Sequence, residues 1–305
     1  MAAPLDQVTH ESLGGVFQEV LGHATLLREQ IINGMLWVDA RRLYATVAAQ
    51  PLQAPETRSF GFFPEAIAAI HAYSESPSAA EGLYALVDVG AGTTAVSFFR
   101  LGSVSLQRRA SFYASHTEIV GADDMDIALA AALRLKYPDA ESGAFDSRSL
   151  VRSAKEASAD GGIGVGDCLL TSSEAAAALK PVLSRIFEVY VKGFRAAYLK
   201  EPRSGLWETL TLIIVGGGSL VPGVSERLLQ PPISFVEKRS IQRLALPKGI
   251  ITPGGEALPV TLLAVGFGLS FVASDIPNYW RPAEVDPLPP RPTVRTRDAW
   301  GEDQV

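Results

Sequence analysis

The sequence predicts an α/β fold, and three observations predict it. Leu83–Val89 is an apolar run that carries one acid, Asp88, and breaks at Gly90 and Gly92 before a second apolar run from Ala95. Leu210–Val215 is a second apolar run, and it breaks into three consecutive glycines, Gly216, Gly217 and Gly218, followed by Ser219. Between them lies a long segment with apolar residues at helical spacing, Leu179, Leu183, Ile186, Tyr190, Phe194 and Tyr198. Short apolar runs bounded by glycine read as buried strands, and a 3.6-residue stripe reads as a helix packed on them.

Taken from the start, residues 11–48 carry Phe17, Val20, Leu21, Leu26 and Leu27 at roughly helical spacing and read as helices covering a sheet. Pro51, Pro55 and Thr57 mark a loop. Pro64–Tyr73, PEAIAAIHAY, reads as a thin, alanine-rich helix. Pro64 suits a first helical turn, and Glu65 is favoured near its positive end. After the Asp88 strand, Ala95–Arg100 continues as a second strand and Val104–Arg109 returns as a third. That antiparallel order argues against a doubly wound dinucleotide fold, in which a helix follows the glycines at once.

Val120–Asp126, VGADDMD, reads as a helix start, with Asp123 and Asp124 in the first turn. Leu150–Ser158 reads as a short helix with Arg152 and Lys155, and Gly161–Gly166 as a flexible or strand-edge segment. Thr171 with Glu174 is a capping box for the long helix, and Pro181 falls near its start or kinks it. Leu258–Ala273 is a compact small-residue segment suited to packing against Pro64–Tyr73. From Pro282 onward the chain is rich in proline and charge and reads as an extended, disordered tail with Trp300 as a docking residue.

Composition limits the function. The formal net charge is -6, against the basic field that a nucleic-acid surface needs. Cys168 is the sole cysteine, so neither a disulfide nor a thiolate cluster is available within the chain. No basic-then-apolar leader and no membrane-length apolar run is read, so the expected compartment is cytoplasmic, with no membrane partner.

The chemistry sits at the two glycine turns. The turn after Asp88 exposes backbone N–H groups, and with the hydroxyls of Thr93 and Thr94 they can donate to phosphate oxygens. Gly90 and Gly92 permit close approach. Asp88 repels phosphate but suits Mg²⁺ held through water. The Gly216–Ser219 turn offers bare backbone on which an adenine and ribose can lie.

These segments, in this order, resemble the actin-like ATPase superfamily, shared by actin, the heat-shock 70 chaperones and bacterial filament proteins. VDVGAGTTAVSFF resembles its second phosphate loop, and IIVGGGSLVPGV its adenosine loop, closest to the heat-shock 70 version. PEAIAAIHAY and LLAVGFGLSF resemble its two connecting helices, and VGADDMD the stretch opening the outer lobe. The resemblance spans about Phe62 to Ser270. It implies ribonuclease-H-like lobes with an incomplete first lobe. Residues 1–110 would hold the remnant of that lobe, the connecting helix and the phosphate hairpin. Residues 111–210 would form a mainly helical second lobe, 211–280 the adenosine loop and second connecting helix, and 281–305 the tail.

It also implies ATP or ADP with Mg²⁺. Gly90, Gly92, Thr93, Thr94, Lys155, Gly216, Gly217, Gly218 and Ser219 would contact the nucleotide, and Asp88 would organise the metal. Three departures weaken hydrolysis. No Asp-Gly-Thr hairpin precedes Phe62, Phe63 stands where the family places a glutamate or glutamine, and Arg152 stands where it often has a glutamate. Glu65, two residues beyond Phe63, partly replaces the missing carboxylate. The expectation is a two-lobe nucleotide switch that reports to a protein partner, with weak or absent hydrolysis. A filament-forming ATPase fragment and a non-catalytic interaction scaffold are the alternatives, and self-assembly stays open.

Overall fold

A computed structural model describes residues 2–3, 63–74, 79–104, 107–139, 148–157, 162–202, 204–231, 240–242, 264–266, 268 and 278–287. The helices expected within 11–48 and Trp300 lie outside the described residues. The strands are β1 (Ala2–Ala3), β2 (Phe63–Pro64), β3 (Gly82–Val89), β4 (Thr94–Val104), β5 (Gln107–Glu118), β6 (Ile163–Val165), β7 (Cys168–Leu170), β8 (Thr211–Val215), β9 (Ser240–Gln242) and β10 (Asn278–Trp280). The helices are α1 (Glu65–Ser74), α2 (Ala122–Lys136), α3 (Arg148–Ala157), α4 (Ser172–Lys200), α5 (Ser204–Trp207) and α6 (Val224–Leu228).

The protein is α/β. Six strands form one mixed sheet in the order β10-β5-β4-β3-β8-β9. β3, β4 and β5 run as an antiparallel meander, while β8 lies parallel to β3, and β9 to β8. The boundary expected at residue 110 falls inside β5, and the segment from 211 supplies β8 to the same sheet. β3, β4, β5 and β8 thus share one sheet.

Alternation along β3 explains the two layers. Leu83, Ala85, Val87 and Val89 face one core with α2, α4 and Trp207. Tyr84 and Leu86 face the other, with Ile67, Ile70 and Tyr73 of α1. A strand side chain changes face at every residue, so Asp88 falls on the α1 side. Tyr113 is an extra residue in β5, since Phe98 pairs with Ala114 and Phe99 with Phe112. That bulge turns both Tyr113 and Ala114 toward the first core.

Local signals hold. Thr171 Oγ accepts from Glu174 N, and Glu174 Oε2 accepts from Thr171 N at 2.8 Å, so the capping box starts α4. Pro181 lies inside that 29-residue helix, which continues past it. Within the segment read as flexible or strand-edge, Ile163–Val165 forms β6 and pairs with β7, the hairpin turned by Gly166 at φ 59°. The third strand begins at Gln107 and runs to Glu118, longer than expected. Gly268 packs on α1: a Cβ there would overlap the Ala68 backbone. Ala264 joins the α1 core, so this part of the Leu258–Ala273 segment meets the first helix as its small residues suggest. The start of the expected tail is ordered: residues 282–284 form a short 3₁₀ turn beside β5. No helix among the described residues is long and apolar enough to cross a membrane.

Candidate functional site

Both glycine turns sit at the same end of the sheet because β3 and β8 are adjacent and parallel. Asp88 pairs in register with Val215, so the Gly90 turn and the Gly216 turn leave the sheet side by side. Parallel strands place their ligand crevices at this carboxyl end.

Asp88 is mostly buried, and burial alone raises its carboxyl above the usual range. Glu65 opens α1 on the same face of the sheet. Its carboxyl is also raised, first by burial and then by the charge of Asp88. The fold thus brings the two sequence-predicted carboxylates into electrostatic range of each other.

The first turn is braced from behind. Gly90 N donates to Thr93 O at 2.9 Å. The carbonyls of Gly90 and Ala91 accept from Ala122 N and Asp123 N at 2.9 and 2.8 Å, so the first amides of α2 hold the turn. This docking needs Gly121, because a Cβ there would lie 2.7 Å from Gly90 O. Gly121 N in turn donates to Asp124 Oδ2 at 3.0 Å. With its carbonyls drawn toward α2, the turn leaves Ala91, Gly92 and Thr93 exposed. Among the described residues, none of their N–H groups donates to a backbone carbonyl.

Two residues expected at the ligand have partners within the fold. Thr94 is fully buried, and its hydroxyl donates to Val120 O at 2.7 Å. It ties β4 to the segment before α2. Lys155 is buried, and its ammonium lies 2.6 Å from Asp126 Oδ1. Arg152 also reaches Asp126, at 3.2 Å, and pairs with Asp123. Arg152 and Lys155 of α3 are therefore committed to α2. Arg185 pairs with Asp124 at 3.1 Å and donates to Ile119 O at 2.9 Å. The acids of VGADDMD each have a cationic partner, which fits their reading as a helix start.

In the second turn, Gly216 adopts φ 83° and ψ 156°, a conformation essentially confined to glycine. A Cβ there would overlap Asp88 Oδ1 and Val89 O, so the turn lies directly on the acid. Gly218 is buried, its Cβ position 2.5 Å from Val89 Cγ1. Ser219 Oγ donates to Gly216 O at 2.6 Å. Only Gly217 of the three glycines is exposed. The bare-backbone platform is smaller than three consecutive glycines suggest.

Sequence reasoning missed the roles of Gly121 and Val120. The one available signal was glycine just before two acids, which reads as a helix start but says nothing of a loop folding back on it. Among the described residues no group of three or more His, Cys, Asp or Glu could hold a metal by protein ligands alone. Comparison with known protein families finds no matching family model, and comparison with curated proteins finds no match.

Proposed function

We propose that the chain binds adenine nucleotide with Mg²⁺ where the two glycine turns meet, as a relative of the actin-like ATPases nearest the heat-shock 70 branch. One observation carries the reading. The exposed amides of Ala91–Thr93, the buried carboxylate of Asp88 and the Gly216–Ser219 turn converge at one end of two adjacent parallel strands.

Each residue has a role in this proposal. The amides of Ala91, Gly92 and Thr93, with the Thr93 hydroxyl, hold phosphate oxygens. Gly217 carries the base and ribose. The carboxylate set suits Mg²⁺, which prefers one or two carboxylates with retained waters and substrate phosphates over an all-protein cage. The desolvated carboxyl of Asp88 gains a counter-charge from such an ion. When bound, the ion neutralises charge on the phosphates. Glu65, whose carboxyl is raised by burial and by Asp88, would accept a proton from a water. Phe63 has no carboxylate to help it, so hydrolysis is weak or absent and the protein acts as a nucleotide-dependent switch for a protein partner.

Calorimetry on the full chain tests this. Mg·ATP should bind, and EDTA should weaken that binding. Asp88→Ala should weaken Mg·ATP more than adenosine. A chain that binds neither ATP nor ADP would sink the proposal, and equal losses for ATP and adenosine would remove the metal role of Asp88.

A further inference from the structure

The chain bends between β5 and α2, directly behind the first glycine turn. The bend is tied down group by group. Thr94 Oγ1 donates to Val120 O at 2.7 Å, and Gly121 N donates to Asp124 Oδ2 at 3.0 Å. Ala122 N and Asp123 N then donate to Gly90 O and Ala91 O. A peptide unit is planar, and in the trans form its carbonyl and its N–H point opposite ways. Holding Gly90 O from behind therefore aims the Ala91 N–H outward, and holding Ala91 O aims the Gly92 N–H outward. The fit is close, since a Cβ at Gly121 would overlap Ala91 O. A shift of the bend thus turns the two amides.

One tie reaches the bend from α4. Arg185 Nη2 donates to Ile119 O at 2.9 Å, and Arg185 Nη1 donates to Asp124 Oδ1 at 3.1 Å. The two acceptors flank the bend, one before it and one after. Asp124 passes the hold on, because its other oxygen accepts from Gly121 N. The base of the fork is fixed, since Ile186 and Val189 beside it on α4 are fully buried in the first core. A guanidinium is planar and presents its donors in a rigid fork, so it sets the spacing of two acceptors. A lysine ammonium is a point charge on a flexible stem and does not. The Arg185 side chain is 53% exposed. An ion pair so exposed contributes little to stability, so the fork acts on geometry more than on folding.

We propose that Arg185 is a positioning residue for the phosphate turn. Its guanidinium, forked between Ile119 O and Asp124, sets the place of the first amides of α2 and, through the Gly90 and Ala91 carbonyls, the outward aim of the Ala91 and Gly92 amides. The proposal rests on the reading of that turn as a phosphate holder.

The test uses the full chain with Arg185→Met and Arg185→Lys. Without nucleotide, amide hydrogen exchange at Ala122 and Asp123 is expected to become about tenfold faster in Arg185→Met, with exchange at Val189 and Tyr190 unchanged. Arg185→Lys keeps the charge and loses the fork, so it is expected to exchange as fast; it also keeps the test informative if Arg185→Met fails to fold. In calorimetry both variants are expected to bind Mg·ATP several-fold more weakly and adenosine as before. Unchanged exchange at Ala122 and Asp123 overturns the proposal, and weaker ATP binding beside it would mean that Arg185 touches the phosphates itself. Exchange and affinity restored by lysine overturn the fork. Faster exchange with full ATP affinity breaks the link from bend to ligand and leaves the nucleotide reading standing. An unaltered chain that binds no ATP brings down that reading, and this proposal with it.

Discussion

The Gly90–Thr93 and Gly216–Ser219 turns look alike in sequence, yet they use glycine for opposite reasons. The first is a hairpin whose carbonyls are held from behind by α2, so its amides face outward. Among the described residues beyond its chain neighbours, nothing lies within 4 Å of a Cβ placed at Gly92. The second is pressed onto β3, with Gly216 against Asp88 and Gly218 against Val89. In the first turn, open space is left where a ligand can approach. In the second, two glycines are required by the fold, and only Gly217 is left exposed. A glycine cluster thus does not distinguish binding from packing. What an added methyl would touch does.

The sharpest break in this comparison is Gly216→Ala against Gly217→Ala. At Gly216 the methyl meets a glycine-only backbone conformation and two overlapping groups. A loss of about 3 kcal/mol or more is expected in urea unfolding. At the exposed neighbour the change should stay within about 0.5 kcal/mol, while binding of adenosine and ATP falls together. Comparable destabilisation at both positions would mean that Gly217 is also a packing residue.

Thr93 and Thr94 repeat the contrast within one turn. Thr94→Val keeps the shape but strips the partner from buried Val120 O, a loss of about 1–3 kcal/mol. Thr93→Val should leave stability within about 0.5 kcal/mol and weaken Mg·ATP. If Thr93→Val binds ATP normally, its hydroxyl holds no phosphate.

The two turns were legible as turns because apolar strand, glycine and hydroxyl residues are local signals. Their adjacency was legible only through the resemblance, since register between β3 and β8 is set by a contact across more than a hundred residues of chain. The site chemistry was legible in part. Asp88 and Glu65 do lie near each other, but the positions of Thr94 and Lys155 could not be read. Thr94 depends on which face of β4 the bend at Val120 occupies. Lys155 depends on Asp126, a carboxylate buried at a position that helical spacing alone gives to core residues such as Met125 and Leu129. The three-residue strand β10 was not read, and the turn at 282–284 falls in the stretch whose proline and charge read as a tail.

Asp88 joins the two turns, and its burial gives a pH dependence. Asp88 and Glu65 both have carboxyl pKa values raised in the folded protein. In the window above the ordinary carboxylate range, the folded state holds protons that the unfolded chain has released. Their contribution to stability is full below the unfolded pKa and is lost as pH rises through the raised values. Asp88→Asn should remove part of that decline and gain about 1 kcal/mol at neutral pH, as changes at functional sites often do. It should also abolish the Mg²⁺ dependence of ATP binding. Thermal unfolding between mildly acid and neutral pH checks the first expectation. A steeper decline in the variant would show that Asp88 is stabilised as a carboxylate by a partner in the fold.

The smallest expected effect is the most direct test of what the open space over the first turn is for. Gly92→Ala adds a methyl where, among the described residues beyond its chain neighbours, no atom lies within 4 Å. Gly92 has a negative or extended φ, unlike Gly166, Gly216 and Gly223, so alanine meets no left-handed strain. Stability should hold or rise by about 0.4–1 kcal/mol, because alanine narrows the unfolded ensemble. The amide of residue 92 remains, so any loss of affinity must come from the methyl occupying space that the ligand uses. Several-fold weaker Mg·ATP binding by a fully stable variant would place the phosphates over Gly92. Unchanged affinity would leave the amides of Ala91 and Thr93 as the contacts and move the phosphates toward Asp88 and Gly217.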